Sequence, residues 1–449
     1  MIDLRTCRDA FPVRWAIYWL IVPNLAIILM WFVGGPPMTA GFAIFGICAL
    51  VMAQLSSASI KRVALFILIV QLNFFYVCAL FNLHTANFRM LPGFIREVRP
   101  FESPEYVLAA AAFAATVAVS LAKAPHVARF RSRMSYLLAV CAICAFLTAD
   151  HVATASTRGS YRTIPEKGTY FASATAESDL TEPGGARRHL VLIVVEALGV
   201  PTDRTAKALF DADWDRARWR SRYEVRHGNV PFYGSTTNGE LRELCGQWAQ
   251  YTGFDFAAAD CLPARYRRAG YETTAYHGFA EAFFERDHWY RGAGFDHLTM
   301  GEKLLDAGLP VCPGVFPGAC DRSIAPLIAQ QLKQAKKPQF IYWLTLNTHL
   351  PVPQDSALQT EHCDLGSGGW AEQHPQVCRL FLLHRQIADA IDAVAMDPQL
   401  PPTDWVIVGD HLPPFFDRQS RKMFDQAHVP WIALRGVDAG QADRTVVLR

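Results

Sequence analysis

The sequence has no surplus of charge of either sign: 43 Lys and Arg face 41 Asp and Glu, a formal net charge of +2 over 449 residues. That balance averages two unlike halves, so it says little about partners by itself. The second half lacks any patch where basic and aromatic residues alternate, which leaves nucleic-acid binding without support. No internal repeat or low-complexity segment is present, which removes repeat architectures. Cysteines at zinc-finger spacing are missing too, so no structural zinc site of that kind is expected. Ionisable residues are essentially absent from the long apolar runs near the N-terminus. A transport pathway would need them.

Those apolar runs dominate the first 150 residues. They cover 15–33, 38–55, 63–81, 106–121 and 134–149, and roughly 20 mostly apolar residues are enough to cross a bilayer. Four runs follow the first, which argues against a cleaved signal peptide. Arg5, Arg8 and Arg14 precede the first run, Lys61 and Arg62 separate the second from the third, and Lys123, Arg129, Arg131 and Arg133 separate the fourth from the fifth. With five crossings these segments share one side, the cytoplasm by the positive-inside rule, and everything beyond residue 150 is exported. Arg89, Arg96 and Arg99 fall on the outer side, offset by Glu97, Glu102 and Glu105; an outer-leaflet lipid contact is the sharper reading of them.

Six cysteines lie beyond residue 150: Cys245, Cys261, Cys312, Cys320, Cys363 and Cys378. An even number in three near-neighbour pairs suggests three disulfides in an oxidising compartment, with connectivity open. Residues 151–188 read as a linker along the membrane surface. From 189 onward, strand-like runs at 190–195, 271–276, 340–346, 405–408 and 431–434 alternate with helical patterns such as 324–336 and 377–396. This alternation predicts an α/β domain with a mostly parallel central sheet.

The residues just beyond each strand carry the most chemistry. Glu196 comes after the first strand, His277 after the second, Asn347-Thr348-His349 after the third and Asp410-His411 after the fourth. Ligands of open α/β sheets bind at the carboxyl ends of strands, so four successive ends bearing ligand or acid/base residues point to one site. Between them, residues 234–246 read GSTTNGELRELCG. Thr237 and Glu240 have the spacing of a capping box, which puts Thr236 at a helix N-terminus suited to an oxyanion and its hydroxyl in place to attack phosphorus. A phosphodiester resists attack, so a divalent cation is wanted. Glu196, Thr236, Asp410 and His411 form a mixed O/N set for one Mn²⁺, with Zn²⁺ or Mg²⁺ as alternatives. Arg286 is a candidate bidentate clamp for phosphate oxygens, and His277 and His349 are candidates to orient a headgroup or move a proton.

These residues resemble the alkaline phosphatase/sulfatase superfamily, and within it the lipoteichoic acid synthase and phosphoglycerol transferase branch. Val-Val-Glu196-Ala-Leu-Gly is similar to that family's metal-binding strand, and Gly234-Ser-Thr236 to its G-x-T motif with the nucleophilic Thr. His277-Gly278 with Phe283-Phe284-Glu285-Arg286-Asp287 resembles the headgroup segment H-G…F-W-x-R-D. Asn347-Thr348-His349 resembles the N-x-H substrate histidine, and Asp410-His411 the metal pair. Phe284 stands where the family has Trp, which alters one wall of the headgroup pocket. The resemblance implies an α-helical membrane domain (1–150), a linker (151–188) and a sulfatase-like periplasmic catalytic domain (189–449) in a bacterial inner membrane. It further implies transfer of a phospho-headgroup from a membrane phospholipid, phosphatidylglycerol in this reading, through phospho-Thr236 to a periplasmic or surface glycan. Three disulfides are more typical of the related phosphoethanolamine transferases, the main alternative.

Other readings share parts of the site. Cys261-Leu-Pro-Ala-Arg265 matches the pattern in which sulfatases mature a Cys to formylglycine. Sulfatases, however, open with paired Asp where this chain has Glu196, and Thr236 already fills the nucleophile position. A phosphodiesterase-type hydrolase would end the same chemistry on water, and a degenerate membrane scaffold would have lost metal ligands. Oligomeric state is not legible.

Overall fold

A computed structural model of the chain describes residues 11–80, 104–127, 129–155, 161, 165–183, 188–415 and 418–437. Arg5, Arg8, Arg89, Arg96 and Arg99, with most of the expected outer loop, lie outside them. Contacts divide the chain into one unit running to Tyr161 and a second from Arg162 that holds the sheet.

The first unit is helical. Among the described residues, four helices are long and apolar enough to cross a membrane: α1 (Val13–Phe32), α3 (Ala58–Leu80), α4 (Val107–His126) and α5 (Arg133–Ala153). The second apolar run instead forms α2 (Thr39–Met52), whose 14 residues reach about 21 Å at 1.5 Å per residue, short of the roughly 30 Å hydrocarbon layer. About five spans was the expectation, so the difference falls on this run. Its start is tied down by Asp150 of α5, whose buried carboxylate accepts from Met38 N at 3.2 Å and Thr39 Oγ1 at 2.5 Å, and from Trp31 Nε1 at 3.0 Å. Side chains such as Phe32, Ile44, Leu108 and Val152 point outward, as lipid-facing residues would.

The second unit is built on a seven-stranded sheet. Its strands are β1 (His189–Val195), β2 (Tyr223–Pro231), β3 (Glu272–His277), β4 (His297–Thr299), β7 (Gln339–Leu344), β8 (Thr403–Gly409) and β9 (His428–Gly436), in the order β2-β9-β8-β1-β7-β3-β4. A two-stranded hairpin, β5 (Val311–Cys312) with β6 (Gly318–Ala319), lies apart in sequence order between β4 and β7. From β8 through β1, β7 and β3 to β4 every pairing is parallel; β9 alone is reversed and pairs antiparallel with both of its neighbours, β8 and β2.

The sequence of β1 shows why its faces are both covered. Leu190, Leu192 and Val194 enter one core with residues of α7 (Thr236–Cys245), α8 (Leu262–Arg268) and α9 (Arg286–Ala293). Val191, Ile193 and Val195 enter another with α6 (Arg204–Trp214), α10 (Ile324–Gln334) and α11 (Pro375–Ala395). A strand buried on both faces reads as an unbroken apolar run, and LVLIVV is one. Residues 172–180, expected in the linker, are part of the fold instead: Ala172, Ala174 and Leu180 lie in the first of these cores.

Candidate active site

Four parallel neighbours end together. The register pairs Val195 with Gly409 and Leu344 with both Val194 and His277, so Glu196, His277, the 345–349 loop and Asp410-His411 leave the same edge of the sheet. Helix α7 then brings Thr236 to Glu196 and His411. Its cap differs from expectation: Ser235 is the N-cap and Asn238 the residue three on, with both reciprocal bonds present. Thr236 is therefore the first helical residue, and Glu240 is freed from capping. Thr237 lies one residue inside the helix, outside the N-cap position, with its hydroxyl 3.4 Å from Ser235 Oγ.

The geometry around Thr236 is close. Its Oγ1 donates to Glu196 Oε2 at 2.9 Å and lies 3.4 Å from His411 Nε2. His411 Nε2 is 3.4 Å from both Glu196 Oε1 and Asp410 Oδ2, and one ligand atom from each of Glu196, Asp410 and His411 fits within 4.8 Å of the others. Glu196 Oε1 and Asp410 Oδ2 are buried without a hydrogen-bond partner, an arrangement that costs free energy unless a cation satisfies it. His411 Nδ1 faces the Leu412 carbonyl at 2.9 Å; an N–H donated there leaves Nε2 a free lone pair. The donor set thus fits a divalent cation. Burial, reinforced by the Glu196 charge, pushes Asp410 up to about 7. Burial opposes a charged His411, yet Asp410 and Glu196 outweigh it and raise its pKa.

The strand ends are held by their own hydrogen bonds. Asp410 Oδ1 accepts from the amides of Ala197 at 2.9 Å and His411 at 2.7 Å. The Glu196 amide donates to Thr345 Oγ1 at 2.9 Å, and Thr348 Oγ1 donates to the Glu196 carbonyl at 2.7 Å. Gly239 permits α7 to approach: a Cβ there would meet Asp410 Cα and Cβ at 3.0 Å. Arg242, fully buried, donates to the Gly409 carbonyl at 2.7 Å and the Asp410 carbonyl at 3.3 Å. Its neighbour Glu243 accepts from the amides of Ala174 and Thr175 at 3.2 and 3.1 Å, which is what draws residues 173–178 out of the linker.

The two other histidines remain neutral. His349 Nδ1 faces the Leu350 carbonyl at 3.0 Å, and burial, followed by the nearby His411, lowers its pKa to about 4. His277 Nδ1 faces the Leu344 carbonyl at 3.1 Å; burial and the Arg286 charge lower it to about 3. Each ring then offers Nε2 as a hydrogen-bond acceptor. Arg286 is buried and paired with Glu240, Nη2 to Oε2 at 2.8 Å, so one edge of the expected phosphate clamp is already committed. The guanidinium lies 5.3 Å from the Phe284 ring centre. Ring contacts run from Phe284 to Phe283 at 4.4 Å, on to Phe316 at 5.1 Å and to His349 at 4.7 Å. Phe284 and Glu285 both have positive φ, 57° and 55°, strained turns of the kind that collect at functional sites.

Sequence reasoning missed Glu240, Arg242, Thr345 and His384. Buried His384 on α11 places Nε2 3.4 Å from the Glu196 carbonyl. The six cysteines beyond residue 150 are joined as Cys245–Cys261, Cys312–Cys320 and Cys363–Cys378. Cys261 is fully buried in its disulfide, so the C-x-P-x-R match has no free thiol to mature.

A family model described as Sulfatase matches residues 231–435, a stretch that takes in every candidate site residue except Glu196. Over 207 residues the chain is 27% identical to a candidate cyclic beta-1,2-glucan modification protein of Rhizobium meliloti (strain 1021), a match covering 42% of this chain and 31% of that protein's length. Among solved structures it is similar to the integral membrane lipooligosaccharide phosphoethanolamine transferase A of Neisseria meningitidis, at 13% identity over 89% of this chain and 82% of that one, TM-score 0.49. It is also similar to the phosphoglycerol transferase GacH of Streptococcus pyogenes, solved with sn-glycerol-1-phosphate, at 17% identity over 60% of this chain and 78% of that one, TM-score 0.41.

Proposed function

We propose that this chain, whose residues 231–435 match a family model described as Sulfatase, transfers a phospho-headgroup from a membrane phospholipid to a periplasmic glycan. The donor in this reading is phosphatidylglycerol and the nucleophile is Thr236. The observation that carries it is the Thr236 hydroxyl, 2.9 Å from Glu196 and 3.4 Å from His411, beside two buried carboxylate oxygens that lack partners. A divalent cation held by Glu196, Thr236, Asp410 and His411, Mn²⁺ in this reading, would favour the Thr alkoxide and neutralise phosphate charge. Thr236 Oγ forms a bond to phosphorus while the bond from phosphorus to the diacylglycerol oxygen breaks, and the Thr proton ends on that oxygen. An acceptor hydroxyl then attacks the phospho-Thr ester, its proton returning to Thr236 Oγ. Neutral His349 or His277 is suited to carry protons between these groups. Arg286 contacts the headgroup phosphate, and Phe284 lines the headgroup pocket.

Four membrane-length helices support a lipid donor, and three disulfides support an oxidising compartment, here the periplasm of a bacterial inner-membrane protein. The name of the Rhizobium relative supports a glucan as acceptor. The test uses detergent-purified protein with Mn²⁺ and headgroup-labelled phosphatidylglycerol or phosphatidylethanolamine, following released diacylglycerol and the mass of the Thr236 peptide. A glycerol-phosphate adduct, absent in Thr236→Ala with an unchanged melting profile, is expected. An ethanolamine-phosphate adduct would move the donor to phosphatidylethanolamine; release of diacylglycerol by Thr236→Ala would remove the nucleophile assignment.

A further inference from the structure

One turn of helix separates Thr236 from Glu240, and residues four apart on a helix share a face. Glu240 is fully buried, a position a carboxylate holds only when surrounded by donors. Four converge on it. Arg286 donates through Nε at 3.2 Å and Nη2 at 2.8 Å to Oε2. Tyr342 donates to Oε1 at 3.1 Å, and Tyr290 makes a close hydroxyl contact with the same oxygen. Burial, with the Glu240 charge next, raises both phenols well above their ordinary range, so they stay protonated and donate. Among the described residues the Nη1 side of Arg286 is uncommitted to any carboxylate; that nitrogen donates there only to the Phe283 carbonyl at 3.4 Å.

Resting on the transferase reading, we propose that Glu240 is a positioning residue for the phosphate donor: it fixes the guanidinium of Arg286 so that the Nη1 side is the one offered to a phosphate, and it sets that charge at a constant separation from Thr236 through one turn of α7. Glu240 touches no substrate. Its effect passes through Arg286, with Tyr290 and Tyr342 holding the carboxylate in place. A buried ion pair can instead be a purely structural feature, whose loss destabilises the fold without respect to ligand. The two differ in how the substitutions combine. If Glu240 acts through Arg286, the effect of removing its charge vanishes once Arg286 is gone.

The experiment is a double-mutant cycle on the full-length protein in detergent with Mn²⁺: wild type, Glu240→Gln, Arg286→Ala and the pair. It reads the binding of sn-glycerol-1-phosphate by titration calorimetry, and KM and kcat with phosphatidylglycerol. Glu240→Gln is expected to weaken binding and raise KM by roughly tenfold, as loss of a charged hydrogen bond does, with kcat much less affected. Adding it to Arg286→Ala is expected to change neither by more than about twofold, within the scatter of an uncoupled pair. Losses that multiply across the pair overturn the proposal. If Glu240→Gln fails to fold, Tyr342→Phe, which removes a single donor, takes its place, with a smaller KM rise and the same criterion. Binding without any lipid turnover would sink the transferase reading and leave the binding cycle to judge Glu240; wild type that neither binds nor turns over sinks both.

Discussion

Proton and cation should compete for one place, and the competition can be sized from Asp410. Its carboxyl, pushed to about 7 by burial and then by Glu196, is roughly nine-tenths ionised at pH 8 and roughly one-tenth at pH 6. A cation binding only the ionised form therefore loses about tenfold in apparent affinity between those pH values, or about 1.4 kcal/mol. His411, also raised, adds to the loss in the same direction. Without a cation, a carboxyl raised on folding contributes stability that is full below its ordinary range and disappears as pH climbs through about 7. With a cation the sign reverses. Mn²⁺ titrated calorimetrically at pH 6, 7 and 8, alongside thermal unfolding, should show tighter binding and a larger rise in melting temperature at pH 8. Asp410→Asn should lose most of the affinity and most of this pH dependence. Equal affinity at pH 6 and 8, or an Asp410→Asn variant that binds like wild type, refutes the reasoning.

Gly239→Ala inserts a Cβ 3.0 Å from Asp410; denaturant unfolding should show a loss of about 1–3 kcal/mol, the usual cost of overpacking, and calorimetry weaker Mn²⁺ binding, whereas wild-type values for both would contradict the close approach. Replacing Cys245 and Cys261 by Ser opens a loop of sequence separation 16 and should lower stability by about 3 kcal/mol, while mass spectrometry of the wild type should find residue 261 as half-cystine. Formylglycine at that position would revive the sulfatase reading.

Much of the site was legible because its residues come directly after apolar runs: a buried parallel strand announces itself, and the next polar residue sits at its carboxyl end. Glu196, His277, His349, Asp410 and His411 all declare themselves this way. Strand β2 does not, since YEVRHGNVP pairs only with β9, alternates poorly and contains Gly and Pro. Residues 172–180 look like linker because their partner, Glu243, lies 68 or 69 residues on. Glu240 is the plainest case. From the sequence it has the spacing of a cap, and only when Tyr290 and Tyr342 arrive from 50 and 102 residues away is it a buried charge.

Helix α7 begins at Thr236, ends at the half-cystine Cys245 and is about 15 Å long. Everything it holds moves as one piece: a shift of its far end reaches Thr236, the Glu240 that anchors Arg286 and the close approach to Asp410 together. With the Cys245–Cys261 bond closed, that far end is moored to the start of α8. A chain whose thiols are still reduced lacks that mooring, so one bond at the far end of α7 bears on every side chain the helix presents.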